Sequence, residues 1–348
     1  MPRGTDVAGI KALDREGLLR LAVELGQPKF RAGQIERWLY ARNVGSFDDM
    51  TDLPASLRET LADRLALPVS EVAEQQQSSD GTRKYLVRLA GGATVETVGL
   101  PAGDRLTVCF STQAGCAMRC SFCATGLGGL TRDLGPGEMV DQVNLVAADF
   151  GRRVTNVVAM GQGEPFANYD AVLGALRFMN APDGLGIGAR HITVSTCGLI
   201  PGIRRFAEEP EQFTLAVSLH SAVQATRDGL MPGVRGNKLP ELRKALVDYS
   251  ASTGRRPSLE YALVAGVNDT DDELSALIRF CRGLLVHVNL IPVNPVAETG
   301  FSRSPAERIA AFQRELHYAG IESSTRAERG TDIDAACGQL RQRSAERR

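Results

Sequence analysis

From Leu106 to Ala319 two kinds of hydrophobic pattern alternate, and this alternation constrains the fold more than any other feature. Short runs rich in apolar and β-branched residues read as strands: Leu106–Phe110, Val154–Met160, His191–Thr196, Phe213–Leu219, Ser258–Val264 and Val286–Pro292. Gly137–Phe150, Tyr169–Met179, Pro240–Tyr249, Asp271–Cys281 and Ser304–Ala319 carry helical spacing. Repeated strand–helix units predict a parallel sheet covered by helices. Six units, counting the strand at Leu106, suit an α/β fold built as an open, partial (β/α)6 barrel. In such architectures the working residues gather at the carboxyl ends of the strands.

The segment before the alternation reads differently. Asp14 can cap a helix carrying Leu18, Leu19, Leu21, Ala22 and Leu25, which Gly26 and Pro28 end. Phe30–Arg42 places Ile35, Trp38 and Leu39 at helical spacing, and Asp52-Leu-Pro54 starts a third helix with Leu57, Leu61 and Leu65 in line. A small three-helix module is expected, given a basic aspect by Lys29, Arg31, Arg37 and Arg42. Those charges read equally well as a solvated helix face. Lys84–Leu89 and Thr94–Val98 flank Gly91-Gly92, a hairpin signature. The expected organisation is a helical accessory domain over residues 1–75, a β-hairpin linker over 76–105 and a catalytic barrel over 106–348.

A formal net charge of −1 over 348 residues excludes a general nucleic-acid coat but leaves room for a local basic patch. One Trp and few aromatics argue against extended base-stacking platforms. No signal peptide or membrane-spanning run is visible, and seven cysteines are an odd number, so a reducing cytoplasm is expected.

The chemistry-bearing residues fall at the expected strand ends. Cys116, Cys120 and Cys123 form a C-x3-C-x2-C run directly after the first strand. Three thiolates are one short of the usual set for an iron–sulfur cluster, which leaves one iron open to a ligand. A structural zinc site is the weaker reading, because such sites mostly pair two C-x2-C knuckles and no second knuckle exists here. Gly161-Gln-Gly163-Glu164-Pro165 follows the next strand and combines close backbone approach with a carboxylate. By itself it could equally be a tight turn with a capping Glu. Ser195, the segment Ser218-Leu219-His220 and Asn294-Pro295 end later strands. Singly each reads as a cap or turn; together they ring one pocket. Cys337 lies in a polar stretch flanked by glycines, which reads as a mobile loop or short turn where a thiol is exposed. Cys281 reads as core and Cys197 as a pocket wall. Glu96, between strand residues, reads by default as an outward-facing carboxylate.

The cysteine run, Gly161–Pro165, Ser218–His220 and Asp334-Ala-Ala-Cys337-Gly-Gln-Leu340 together resemble the RlmN/Cfr family of radical S-adenosylmethionine (SAM) RNA methyltransferases. Pro28-Lys-Phe-Arg-Ala-Gly-Gln-Ile35, Trp38 and Met50-Thr-Asp-Leu-Pro54 fit as well, so the resemblance spans nearly the whole chain. It implies that Cys116, Cys120 and Cys123 ligate a [4Fe-4S] cluster whose open iron binds SAM. It implies that Gly163, Glu164, Ser195, Ser218, Leu219, His220 and Asn294 form the SAM pocket. Cys337 would carry the methyl group, Cys109 would be its thiol partner and Glu96 a proton acceptor. Two SAM molecules would serve each turnover, one methylating Cys337 and one yielding the radical that activates that methyl group. The implied reaction is methylation of C2 of adenine 2503 in 23S rRNA and of adenine 37 in tRNAs, or, as in the Cfr branch, C8 of the same rRNA adenine. A flavodoxin- or ferredoxin-type reductant, a monomer and no membrane contact are the accompanying expectations. Gln162 stands where many relatives carry Met, and the basic segment around Arg326 and Arg329 includes Glu328; neither is expected at a catalytic position.

A different class of radical SAM enzyme, or a zinc-stabilised RNA-binding module, stays open on the residues alone. The first would not need Cys109 with Cys337, and iron and sulfide content separates the second.

Overall fold

The computed structural model describes residues 9–340 except Pro295 and Ala297. The expected proline of Asn294-Pro295 therefore lies outside the described residues. Among the described residues twelve strands occur in chain order: β1 Glu71–Gln77, β2 Arg83–Arg88, β3 Thr94–Ala102, β4 Arg105–Cys109, β5 Gln113–Gly115, β6 Leu130–Asp133, β7 Asn156–Ala159, β8 Ile192–Thr196, β9 Thr214–Ser218, β10 Ser258–Leu263, β11 His287–Pro292 and β12 Ser323–Thr325. Ten form one sheet in the order β1-β2-β3-β4-β7-β8-β9-β10-β11-β12. From β4 to β12 every pairing is parallel. The six expected barrel strands are all present within two residues of the expected ends, and β12 adds a short seventh at the open edge.

The helices at Pro136–Phe150, Tyr169–Asn180, Leu239–Thr253, Asp271–Cys281 and Ala306–Tyr318 match the periodic segments. Ile200–Glu208 is a further helix, which Pro201 and Gly202 in its first turn disguise in the sequence. Proline suits that position because the first helical N–H groups have no intrahelical acceptor.

β1, β2, β3 and β4 are joined antiparallel. The expected hairpin thus continues the barrel sheet, turning at Gly91 and Gly92, both at positive φ. β1 was not legible because its Glu- and Gln-rich run is mostly exposed and shows no apolar alternation.

The N-terminal helices run over Arg15–Glu24, Phe30–Glu36 with a π-helical continuation to Ala41, and Ala55–Arg64. Asp14 caps the first, its carboxylate accepting from the Gly17 N–H at 2.7 Å. Leu18, Ile35, Leu39, Leu57 and Leu61 are buried in one apolar cluster that continues into the barrel. A buried ion pair crosses this junction. Lys11 Nζ donates to Asp141 Oδ1 at 2.7 Å, and Ser70 Oγ donates to Asp141 Oδ2 at 2.8 Å. No helix among the described residues is long and apolar enough to cross a membrane.

Candidate active site

The cysteine loop is an excursion closed at its base by β5 and β6, which pair antiparallel. Gly115 permits that closure: its φ is +82°, and a Cβ there would lie 2.0 Å from the Gly129 carbonyl oxygen. The loop is pinned from outside as well. The Ser121 N–H donates to Leu230 O at 2.9 Å, the Gly233 N–H donates to Met118 O at 3.0 Å, and Phe122 meets the His220 ring edge-on at 4.7 Å.

Cys116, Cys120 and Cys123 line one wall of a cavity of about 170 Å³. Gly163, Glu164, Ser195, Ser218, His220, Asn294 and Cys337 line the same cavity, from the carboxyl ends of successive strands. Leu219 does not: its side chain is fully buried in the core, and its N–H donates to Glu260 O. Burial pushes the Cys116 thiol up to about 11 and also raises Cys120 and Cys123. The bare thiols are therefore neutral, and binding of iron would have to displace their protons. Among the described residues no three His, Cys, Asp or Glu side chains converge as a site for one metal ion. A cubane makes no such demand, because each thiolate binds a different iron. Cys197 shares the wall, its backbone N–H held by Glu164.

Glu164 both caps a turn and faces the cavity. Its carboxylate accepts from the Phe166 N–H at 3.0 Å and from the Cys197 N–H at 2.7 Å, and burial raises its pKa. Gly163 has φ +106°, and a Cβ would lie 2.7 Å from Gln113 and Thr112, so this loop lies against the end of β4. Gln162 is buried beneath it, outside the cavity lining.

His220 has φ +55°, a left-handed conformation unusual for histidine. Its Nδ1 accepts from the Ala262 N–H at 2.9 Å, which leaves Nε2 as the donor. Burial, helped by the Arg227 charge, lowers its pKa to about 3. The unfolded chain therefore binds a proton below about pH 6.5 that the folded chain refuses, so stability from this site is lost as pH falls. His220→Asn keeps an acceptor and tolerates the backbone. From pH 6.5 to pH 5 the wild type should lose about 2 kcal/mol more stability than this variant, at ~1.4 kcal/mol per pH unit. Urea titrations of both proteins at the two pH values measure the difference; equal losses would exclude a neutral His220.

The stretch around Cys337 is tethered and half-buried and includes a short 3-10 turn at Thr331–Ile333, so the short turn expected there is present but the thiol is not fully exposed. Gly330 N–H donates to Asp80 Oδ2 at 3.1 Å and Ser79 N–H to Asp332 Oδ2 at 3.1 Å. Ala124 N–H donates to Gly338 O at 2.7 Å, Thr125 Oγ1 to Leu340 O at 2.8 Å and Asn294 Nδ2 to Cys337 O at 3.2 Å. Cys337 consequently stands between the first cavity and a second one lined by Cys109, Leu100, Ala335 and Leu340. Burial pushes the Cys109 thiol up to about 12, and the nearby Cys337 adds to this. Glu96 is buried rather than outward-facing. It pairs with Lys84 at 3.5 Å and lines a third cleft with Asp334. Val98 is the register partner of Cys109, so the two-residue strand period puts Glu96 on the Cys109 face of the sheet.

Arg326 is the site residue that sequence reasoning passed over. The basic segment that holds it is not expected at a catalytic position, yet Arg326 lines both cavities beside Cys337. The only signal was its place in a basic run eleven residues before a cysteine, which cannot reveal a contact made by folding back.

A parallel partial barrel with three cysteines after its first strand and a Gly–Glu turn after its second defines the radical SAM class. The Radical SAM superfamily model matches residues 110–281, and the model for the ribosomal RNA large subunit methyltransferase N-terminal domain matches residues 9–67. The chain is 47% identical over 339 residues to a probable dual-specificity RNA methyltransferase RlmN of Symbiobacterium thermophilum, covering 96% of this chain and 91% of that one. It is also 47% identical to the protein of the same name from Geobacillus kaustophilus, over 95% and 92% of the two chains. A crystal structure of a radical SAM methyltransferase from Sphaerobacter thermophilus superposes with a TM-score of 0.89 at 46% identity, over 96% of this chain and 99% of that one. The chain belongs to the RlmN family of radical SAM methyltransferases. Its cofactors are accordingly a [4Fe-4S] cluster and SAM, and three thiols on one wall of the cavity fit that pair.

Proposed function

We propose that this protein methylates C2 of adenine 2503 in 23S rRNA and C2 of adenine 37 in tRNAs through a methylated Cys337. The observation that carries this reading is the position of Cys337, shared between the cofactor cavity and the cavity that holds Cys109. Cys116, Cys120 and Cys123 hold the cluster; Gly163, Glu164, Ser195, Ser218, His220 and Asn294 hold SAM, with Leu219 contributing through its backbone. When bound, these cofactors supply the methyl group and the radical chemistry that a non-nucleophilic ring carbon requires, at two SAM molecules per turnover.

The chain's own residues do the rest. Cys337 Sγ accepts the methyl group and presents it to the base. Glu96 takes the proton lost from the adenine ring, its carboxylate held by Lys84, and the electron lost with that proton would return to the cluster. Cys109 attacks Cys337 Sγ; an S–S bond forms, the S–C bond to the RNA-linked carbon breaks, and that carbon takes up a proton to become the product methyl. The resulting disulfide is then reduced. An external flavodoxin- or ferredoxin-type carrier supplies electrons to the cluster, and the protein works as a cytoplasmic monomer.

The helical module of residues 1–75 is the RNA-facing domain in this reading, the hairpin of residues 76–105 leads from it, and the barrel of residues 106–348 is catalytic. Phe30 is 62% exposed with the Arg31 guanidinium 5.0 Å from its ring, and Arg42 lies 4.0 Å from the Trp38 ring. Such aromatic and guanidinium faces stack on unpaired bases. The target base must leave its stack to reach a recessed thiol.

Anaerobic turnover on 23S rRNA fragments and tRNA, read by nucleoside mass spectrometry, tests the proposal. 2-Methyladenosine in both RNAs is expected. 8-Methyladenosine would place the protein with the Cfr branch, and no methylated adenosine would reject the reading.

A further inference from the structure

Among the described residues, Arg326 is the one charged side chain that lines both the cofactor cavity and the Cys109 cavity. It follows β12, where its N–H donates to Leu290 O at 2.9 Å, so its backbone is fixed to β11. Its guanidinium shares both cavities with Cys337 and the second with Cys109, and comes within 4.0 Å of Met160 Sδ. Glu260 faces it across the first cavity. That carboxylate is itself held, accepting from Ser258 Oγ at 2.7 Å and Asn289 Nδ2 at 2.7 Å.

The surroundings make this cation consequential. Val98, Leu100, Val158, Met160, Ala335 and Leu340 pack about Cys109. Apolar burial favours the neutral thiol, whereas only the thiolate is a competent nucleophile. Both thiols must act as nucleophiles in the proposed cycle, one after the other. An arginine suits the task because it stays protonated at any working pH and its fork offers donors in two directions.

We propose that Arg326 activates both thiols of the carrier pair, stabilising the Cys337 thiolate as methyl acceptor and then the Cys109 thiolate as the attacking group. The proton released from each thiol leaves to solvent. Glu260, fixed by Ser258 and Asn289, orients the guanidinium. This rests on the carrier roles of Cys337 and Cys109 proposed above, but its test does not depend on turnover.

The test is alkylation of the anaerobic holoenzyme by iodoacetamide from about pH 6 to about pH 10, with Cys337 and Cys109 quantified separately by peptide mass spectrometry. Arg326→Gln should raise the Cys337 midpoint by about one pH unit or more, slowing alkylation roughly tenfold near neutral pH. Arg326→Lys should recover part of the loss by restoring the charge without the fork. Iron content and melting temperature establish that the variants are folded. If Arg326→Gln loses the cluster, Arg326→Met keeps the packing of the stem and takes its place. A folded, cluster-loaded Arg326→Gln or Arg326→Met enzyme with the wild-type Cys337 profile would overturn the proposal. A shifted profile in a protein that never methylates RNA would instead count against the carrier roles and leave Arg326 as the activating cation.

Discussion

Cys109→Ala enzyme supplied with SAM, reductant and RNA should accumulate a covalent protein–RNA adduct and release almost no product. Cys337→Ala enzyme should form neither adduct nor product, with methylation below about a thousandth of wild type, the scale on which losing a nucleophile acts. The two outcomes differ because in the proposed cycle the two thiols act at different stages. Without Cys337 no methyl group leaves the cofactor cavity. Without Cys109 the group reaches RNA but the S–C bond has no attacking thiolate. Cys109 is 7% exposed, so an external thiol cannot readily replace it. The adduct is read as a slow-migrating band that disappears on nuclease treatment. Free product at the wild-type rate from Cys109→Ala would sink the scheme.

Asp141→Ala should destabilise the protein by about 3–5 kcal/mol, the usual cost of breaking a buried ion pair from one side. Lys11 and Asp141 side chains are 2% and 3% exposed, so the orphaned ammonium could not rehydrate in place. Lys11 donates also to Asn43 at 3.2 Å, a weaker neutral contact that would not compensate. The packing is tight enough that a Cβ on Gly137 would lie 2.5 Å from Lys11 Cβ, which leaves little room for water. Lys11→Met combined with Asp141→Leu should recover most of the loss, because it removes both charges from a low-dielectric junction. Chemical denaturation of the two variants and the wild type provides the measurement. An Asp141→Ala loss under about 1 kcal/mol would show that this ion pair adds little to holding the helical module on the barrel. The consequence for function is orientation, since this pair ties the module carrying Phe30 and Trp38 to the helix Pro136–Phe150.

The barrel was readable because each buried strand is a short β-branched run and each covering helix keeps its apolar face at helical spacing. Ile192, Val194, Leu215 and Val217 show the first pattern and are all buried. What lacked such a pattern was missed. β12 is three small polar residues, and β1 has no apolar face; both exist because a neighbouring strand offers them hydrogen-bond partners. The helix Ile200–Glu208 was hidden by a proline that is favourable at its first turn.

The site divides along the same line. Cys116, Cys120 and Cys123 are within eight residues of one another, so one loop gathers the three thiols, and local spacing alone announces it. Glu164, Ser195 and His220 follow strands of a parallel sheet, and parallel pairing brings such ends together wherever they lie in the chain. Cys109 and Cys337 could be joined only through resemblance, because 227 intervening residues carry no sign of their meeting. Arg326 and the burial of Glu96 were not legible at all. Periodicity encodes which face of an element is apolar, and thereby the sheet and the order of its strand ends. Which polar side chain meets which thiol depends on a terminal segment folding back across the barrel mouth, tethered to Asp80, Thr125 and Asn294 by single hydrogen bonds. Such contacts leave no repeating pattern in the sequence, and only the tertiary structure decides them.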